Sequence, residues 1–190
     1  MTMRVGVLAV QGAYQAHAAR LKLLGAEPVL VRSAAELNDI RGIILPGGES
    51  TTMLRFLARD QLLQALTDFS AEHPVLGTCA GLILLAREVE PQQQSLGLLN
   101  VSVQRNAYGR QLDSAIVKGP TALRGGPLEM VFIRAPAITR VGDGVTVLAE
   151  RDEQPVLVQQ GHLLGCAFHP ELSQDTRVHQ LFLESIERDI

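Results

Sequence analysis

The sequence predicts an α/β domain of three layers, with helices on both sides of a mostly parallel sheet and an antiparallel strand extension in its second half. Three observations carry that expectation. Residues 4–10 form a nearly continuous apolar run, Arg4-Val5-Gly6-Val7-Leu8-Ala9-Val10, the mark of a strand covered on both faces. Short runs of the same kind then alternate with amphipathic stretches of helical spacing, the order of βαβ units. Beyond residue 97 that alternation stops, and short strands follow one another across glycine-bearing turns.

The first strand ends at Gln11-Gly12, and a helix follows in which Tyr14, Ala18 and Leu21 share one face, with Gly25 placed to end it. Pro28 to Val31 is a second strand, Ala34 to Leu37 a turn or short helix, and Gly42 to Pro46 a third strand. Pro46-Gly47-Gly48-Glu49-Ser50 breaks that strand, and Ser50 is placed to cap a helix that turns Met53, Leu54 and Leu57 inward. A further helix carries Leu62, Leu63, Leu66 and Phe69 on one side. Val75 to Gly77 is the next strand, and Leu82 to Ala86 reads as a helix covered all round. Glu90 to Ser95 is a polar connection, after which Leu98–Gln104, Ser114–Lys118, Leu128–Ile133, Val145–Glu150, Pro155–Gln160 and Gly165–Phe168 read as strands. Val178, Leu181, Phe182, Ser185 and Ile186 recur at helical spacing and close the chain with a helix packed on the sheet.

With 190 residues, 46% of them hydrophobic, and neither repeat nor linker, the expected organisation is one domain over residues 1–190. A net charge of −3, only 4% aromatic residues and no tryptophan leave neither a basic footprint nor a stacking platform for nucleic acid. No apolar stretch approaches the ~18 to 20 residues of a membrane span, and the start of the chain runs directly into a strand, so a soluble cytoplasmic protein is expected. Two cysteines are too few for a disulfide scaffold. Of these, Cys166 lies in an apolar run and reads as core.

The other, Cys79, stands in Gly77-Thr78-Cys79-Ala80-Gly81, between a buried strand and a buried helix. This spacing parallels the G-x-S-x-G elbow, in which small neighbours let a strand turn sharply and present a nucleophile at a helix N-terminus. The unpaired amides and the helix dipole there favour thiolate. The competing reading is a structural cysteine between packing glycines. A thiol nucleophile needs a base, and His169 leads the five histidines because Glu171, two residues on, faces the same side of an extended segment and can orient the ring. An exposed His and Glu at a strand end, or a zinc site using Cys79, His169 and Glu171, are the alternatives; no close-spaced ligand pair supports zinc. Acyl transfer also requires donors for an oxyanion. The amide of Ala80, directly after the nucleophile, is one candidate, and that of Gly47 or Gly48 the other, with glycine supplying the unusual dihedrals of such a turn. Pro46-Gly47-Gly48 lacks the Gly-Lys-Ser/Thr ending of a P-loop, which weakens a nucleotide reading. From the residues alone, the chain is a cysteine-dependent acyl transferase or hydrolase of open substrate.

The G-x-C-x-G turn with a distant H-x-E resembles the class I glutamine amidotransferases, whose flavodoxin-like glutaminase domains release ammonia for a synthase. Four further stretches, Val10 to Ala13, Leu45 to Met53, Arg105-Asn106-Ala107-Tyr108-Gly109-Arg110-Gln111 and Phe132 to Pro136, resemble the family of glutaminase subunits of pyridoxal 5′-phosphate synthases. The resemblance runs from Val5 to the last helix. It implies that Cys79 attacks the side-chain amide of L-glutamine, that His169 protonates the departing ammonia and then activates water, and that Glu171 orients His169. It also implies substrate contacts from Gly48, Glu49, Ser50, Arg105, Ile133 and Arg134, and places Gln11 and Asn106 near the site. An arginine suits the substrate carboxylate and Glu49 its ammonium. No cofactor or metal is implied. The implied partner is the (β/α)8-barrel synthase subunit, docked in a hetero-oligomer, with docking expected to complete the oxyanion hole through the Gly47-Gly48 peptide. Departures are mild: Ser173 stands where threonine is common, and Tyr108 where phenylalanine is. A glutaminase for another synthase, such as that of imidazole glycerol phosphate, and a flavodoxin-like redox-sensing protein without enzymatic activity are the rival readings.

Overall fold

The structure is a computed structural model and describes residues 2–107 and 114–188. Tyr108, Gly109, Arg110 and Gln111, quoted for the family resemblance, lie outside the described residues. In chain order the first half runs β1 (Arg4–Leu8), α1 (Tyr14–Leu23), β2 (Glu27–Val31), a 3-10 turn (Ala34–Asp39), β3 (Ile43–Leu45), α2 (Ser50–Leu57), α3 (Leu62–Glu72), β4 (Val75–Thr78) and α4 (Ala80–Leu85). The second half adds β5 (Ala86–Glu90), β6 (Leu99–Gln104), β7 (Ser114–Gly119), β8 (Leu128–Ile133), β9 (Ala137–Val141), β10 (Thr146–Arg151), β11 (Gln154–Gln160), β12 (Leu163–Cys166), a 3-10 turn (Pro170–Leu172) and α5 (Arg177–Arg188).

The main sheet has seven strands in the order β10-β11-β12-β4-β3-β1-β2. From β12 to β2 the strands are parallel, and β10 and β11 extend them antiparallel, as the change of pattern after residue 97 predicts. The central strands β3, β4 and β12 are buried at every position, which is why their sequences are apolar runs and not alternations. Adjacent residues of β4 identify the two covering layers, since successive side chains point to opposite faces. A Cβ at Gly77 would touch Gly81 and Leu85, so α4 covers that face. Thr78 meets His17 of α1, which in turn meets His179 of α5, so those two helices cover the other.

The sequence reading misses two strands. β5 follows α4 without a break, and β9 follows Ala135-Pro136; with β6 they form a second, three-stranded sheet in the order β5-β6-β9. Nothing polar or glycine-bearing separates Leu85 from Ala86, so the junction is set by tertiary packing and carries no local signal. The strand expected over Gly165–Phe168 is Leu163–Cys166 and stops before His169. His169-Pro170-Glu171 is not extended either: Pro170 opens a 3-10 turn, a position suited to its fixed φ and missing N–H. Among the described residues no helix is long and apolar enough to cross a membrane.

Candidate active site

Cys79 sits at the C-terminal end of β4, where open parallel sheets place their ligands. Its backbone has φ 50° and ψ −105°, a conformation that costs on the order of 1 to 3 kcal/mol and persists only where its surroundings over-determine it. Here they do. Its N–H donates to the carbonyl of Cys166 on β12 at 2.8 Å, and its own carbonyl accepts from Ile83 of α4 at 3.2 Å. The flanking glycines serve space, not dihedral freedom, since neither has positive φ. A Cβ on Gly81 would stand 1.9 Å from the Leu45 carbonyl oxygen, and one on Gly77 would stand 2.6 Å from that of Gly81. Helix and strand therefore close to backbone contact, and the positive φ falls on Cys79 itself.

His169 and Glu171 meet although their segment is a tight turn. Nδ1 of His169 lies 2.7 Å from Oε1 of Glu171, with both residues buried. A carboxylate only accepts, so the ring carries its proton on Nδ1 and turns Nε2 away from the carboxylate. The main-chain N–H of His169 donates to Val131 of β8 at 2.8 Å, which fixes the root of the side chain. Burial opposes charge on His169, yet its hydrogen bond with Cys79 and the hydrogen bond and charge of Glu171 prevail, and its pKa is pushed up to about 10. For Glu171 burial again opposes ionisation, and His169 and His17 overcome it, holding the carboxyl below its usual range. The carboxylate of Glu171 thus supports a charged His169 ring beside Cys79, the arrangement that a thiol nucleophile requires.

Gly47 and Gly48 border this series. Neither has positive φ, so the expectation of unusual dihedrals is corrected. What excludes a side chain is room: a Cβ on Gly47 would meet His169 Cε1 at 2.6 Å, and one on Gly48 would meet Gln11 Oε1 at 2.3 Å. The Gly47 carbonyl accepts from the Ala13 N–H at 3.0 Å. In a trans peptide the Gly48 N–H then points to the opposite side. Gln11 pins the same turn, its Oε1 accepting from the Glu49 N–H at 2.9 Å. Gly12 does need its freedom, with φ +94° and a would-be Cβ 1.9 Å from the Gly47 oxygen. Ala80 opens α4, and its amide belongs to the first turn, which has no intrahelical acceptors.

A cavity of about 500 Å³ brings Cys79, His169, Gly47, Gly48 and Ala80 together with Glu49, Ser50, Arg105, Asn106, Ile133 and Arg134. Within it, the helix cap is Glu49 and not Ser50. The Glu49 carboxylate accepts from the amides of Thr51 and Thr52 at 3.0 and 2.7 Å and from both hydroxyls at 2.6 Å. Those hydroxyls and amides hold its pKa down to about 2, so it keeps a negative charge at the mouth. The Ser50 hydroxyl instead donates to Oε1 of Gln93 at 3.1 Å. Arg105 is half-buried, and its Nε has no hydrogen-bond partner among the described residues. Arg134, at φ 45°, is exposed at the rim.

Behind Glu171 lie residues the sequence reading leaves out. His17 on α1 and His179 on α5 are fully buried. Their signal was a polar residue at the spacing of buried ones: His17 is four before Leu21, and His179 is three before Phe182 and seven before Ile186. Apolar periodicity passes over both.

A search of family models matches residues 7–188 to the SNO glutamine amidotransferase family. The chain is 52% identical over 185 residues to the pyridoxal 5′-phosphate synthase subunit PdxT of Koribacter versatilis, covering 97% of this chain and 96% of the relative. It is 50% identical over 190 residues to the subunit of the same name from Solibacter usitatus, covering 96% and 99%. A solved glutamine amidotransferase superposes with a TM-score of 0.90 at 42% identity, covering 96% of this chain and 98% of the other.

Proposed function

The chain belongs to the SNO glutamine amidotransferase family, and from that premise we propose that it is the glutaminase subunit of a pyridoxal 5′-phosphate synthase, hydrolysing L-glutamine to L-glutamate and ammonia. Relatives of that name at about half identity favour this synthase over that of imidazole glycerol phosphate. The observation that carries the chemistry is the 2.7 Å His169–Glu171 pair beside a cysteine on a strained elbow.

In the first half-reaction the Cys79 thiolate adds to the side-chain amide carbon of glutamine. The oxyanion so formed is met by the amides of Ala80 and of Gly47 or Gly48. His169 then gives its Nε2 proton to the nitrogen, the carbon–nitrogen bond breaks, and ammonia leaves a thioester on Cys79. In the second half-reaction His169 takes a proton from water as the oxygen attacks the thioester, and collapse returns glutamate and the thiolate. Glu171 keeps the ring in one tautomer and supports its charge throughout. Glutamine is held by Gly48, Glu49, Ser50, Arg105, Ile133 and Arg134. The unmatched Nε of Arg105 supports its pairing with the substrate carboxylate. Glu49, with four hydrogen bonds already accepted, offers the ammonium charge more than geometry.

Residues 1–190 act as one cytoplasmic glutaminase domain. Ammonia is useful only if shielded from water, so the cavity mouth docks against the (β/α)8-barrel synthase subunit, and docking completes the oxyanion hole. The test is glutamate release from glutamine with and without the barrel subunit. Wild type in complex should release glutamate and Cys79→Ala should not; unchanged release by that variant refutes the nucleophile. An isolated chain as active as the complex refutes completion of the site by docking.

A further inference from the structure

We propose that His17 is a positioning residue for the catalytic series: its neutral ring, protonated on Nε2, backs the second oxygen of Glu171 and ties it to the end of the strand that presents Cys79. This rests on Cys79 and His169 acting as nucleophile and base. Oε1 of Glu171 is used by His169, while Oε2 is buried and has no hydrogen-bond partner among the described residues. Facing Oε2 is Nε2 of His17 at 3.4 Å, with both side chains at 0% exposure. That same nitrogen lies 3.1 Å from the hydroxyl oxygen of Thr78, the residue before the nucleophile. An N–H on this nitrogen can bond to Thr78 while its positive end faces Oε2, which couples the carboxylate to β4.

The order of protons follows from what each neighbour can do. Glu171 only accepts, so His17 carries its hydrogen on Nε2 and has a lone pair on Nδ1. Nδ1 is 3.0 Å from Nε2 of His179, which must then be the donor. That leaves Nδ1 of His179 as a lone pair, and this atom is buried with no partner among the described residues. The series therefore runs in one sense, from His179 through His17 and Glu171 to His169. The other ionisable groups around it do not reverse that order. Arg20 donates from Nε to the main-chain carbonyl of Glu171 at 3.1 Å, and Cys166 donates its S–H to the Phe168 carbonyl at 3.3 Å. Burial keeps both histidines neutral: it outweighs the attraction of Glu171 and lowers His17 to about 4, and it lowers His179 to about 3.

Three readouts test the role in the intact glutaminase–synthase complex. His17→Leu removes the donor. Its kcat for glutamine hydrolysis should fall at least tenfold with KM within twofold, and the pH midpoint of Cys79 alkylation by iodoacetamide should rise by at least half a unit. His17→Gln returns an amide N–H near the position of Nε2 and should recover kcat to within threefold of wild type. Leucine and glutamine variants impaired alike would assign the ring to packing and overturn the proposal, as would a leucine variant with wild-type kcat and alkylation profile. Alkylation needs no glutamine, so it still reads the role of His17 if the substrate is another amide. Nitrogen NMR of the wild type needs no variant to fold: protonation of His17 on Nε2 is expected, and on Nδ1 refutes the proposed order.

Discussion

Gly47→Ala separates space from backbone freedom at the site. The φ of Gly47 is not positive, so alanine meets no dihedral penalty. Its Cβ, however, would stand 2.6 Å from Cε1 and 3.1 Å from Nδ1 of His169, where ordinary contact begins at 3.4 Å. The shortfall at Cε1 is about 0.8 Å, and the ring has little freedom to yield. Its root is held by the Val131 carbonyl and its Nδ1 by Glu171 at 2.7 Å. Retreat by the full shortfall stretches that bond to about 3.5 Å, past the range of a useful hydrogen bond. A displacement near 1 Å from reactive geometry costs on the order of 100-fold, or about 2.7 kcal/mol of barrier. Glutaminase kinetics with saturating barrel subunit should show kcat down by roughly that factor. KM should stay within about threefold, because Arg105 and Glu49 are untouched. A kcat within threefold of wild type would show that the turn or the ring adapts, and would refute the spatial account of Gly47.

Removal of the cap by Glu49→Ala should destabilise α2 by about 1 kcal/mol, read as a melting temperature lower by ~2 to 4 °C in a domain of this size; an unchanged melt would deny Glu49 its structural role. Arg105→Ala should raise KM for glutamine at least tenfold with a smaller change in kcat, and a kcat loss at constant KM would contradict its pairing with the substrate carboxylate. Acid should destabilise the fold through its buried histidines. His17 and His179 stay neutral down to about 4 and about 3 when folded, whereas in the unfolded chain both take up protons near 6.5. The unfolded state thus binds more protons between those limits, and stability falls as pH drops below about 6.5, by up to ~1.4 kcal/mol per unit for each histidine. His169 acts in the other sense: its folded pKa of about 10 gives stability that is full below 6.5 and lost as pH rises through 10. Urea midpoints of wild type and His179→Leu between pH 4 and 7 isolate one histidine, and equal slopes would refute its contribution.

Legibility in the sequence followed the range of the interactions. The parallel strands and the elbow at Cys79 are contiguous and carry local signatures, so each was readable; the pairing of His169 with Glu171 was readable too, but as an extended segment and not as the 3-10 turn that makes it. The glycines at 77 and 81 were read for the room they leave, as the structure has them, whereas those at 47 and 48 were read for dihedral freedom that they do not use. Composition shows that a side chain is missing there, but only the assembled site shows whether dihedral freedom or room required it. β5 escaped because it follows α4 directly, β9 because it follows β8 after three residues, and among the described residues both pair through β6. His17 and His179 escaped because their partners stand far along the chain, His17 meeting Thr78, Glu171 and His179 only after α1 and α5 settle on one face of the sheet. A lone histidine on a helix gives no sign of what it will face.

The geometry of Cys79 is a property of the core and not of a loop. α4 has only six residues, too few to persist as an isolated helix, and every one of them is buried. It is held because its apolar side chains pack against β3, β4 and β12 and because Gly77 and Gly81 let its backbone reach theirs. The strained φ of Cys79 is the hinge of that approach. With its N–H on β12 and its carbonyl on α4, Cys79 cannot relax toward negative φ without releasing one of these bonds. Strain, helix and sheet contact therefore stand or fall together, and the same β12 leads three residues later to His169. Sulfur and imidazole are consequently registered to each other through the pairing of β4 with β12, Thr78 opposite Cys166, before any substrate arrives. The other side of the cavity is held separately, through the Gly47-Gly48 turn, whose carbonyl accepts from the Ala13 amide and whose next amide donates to Gln11.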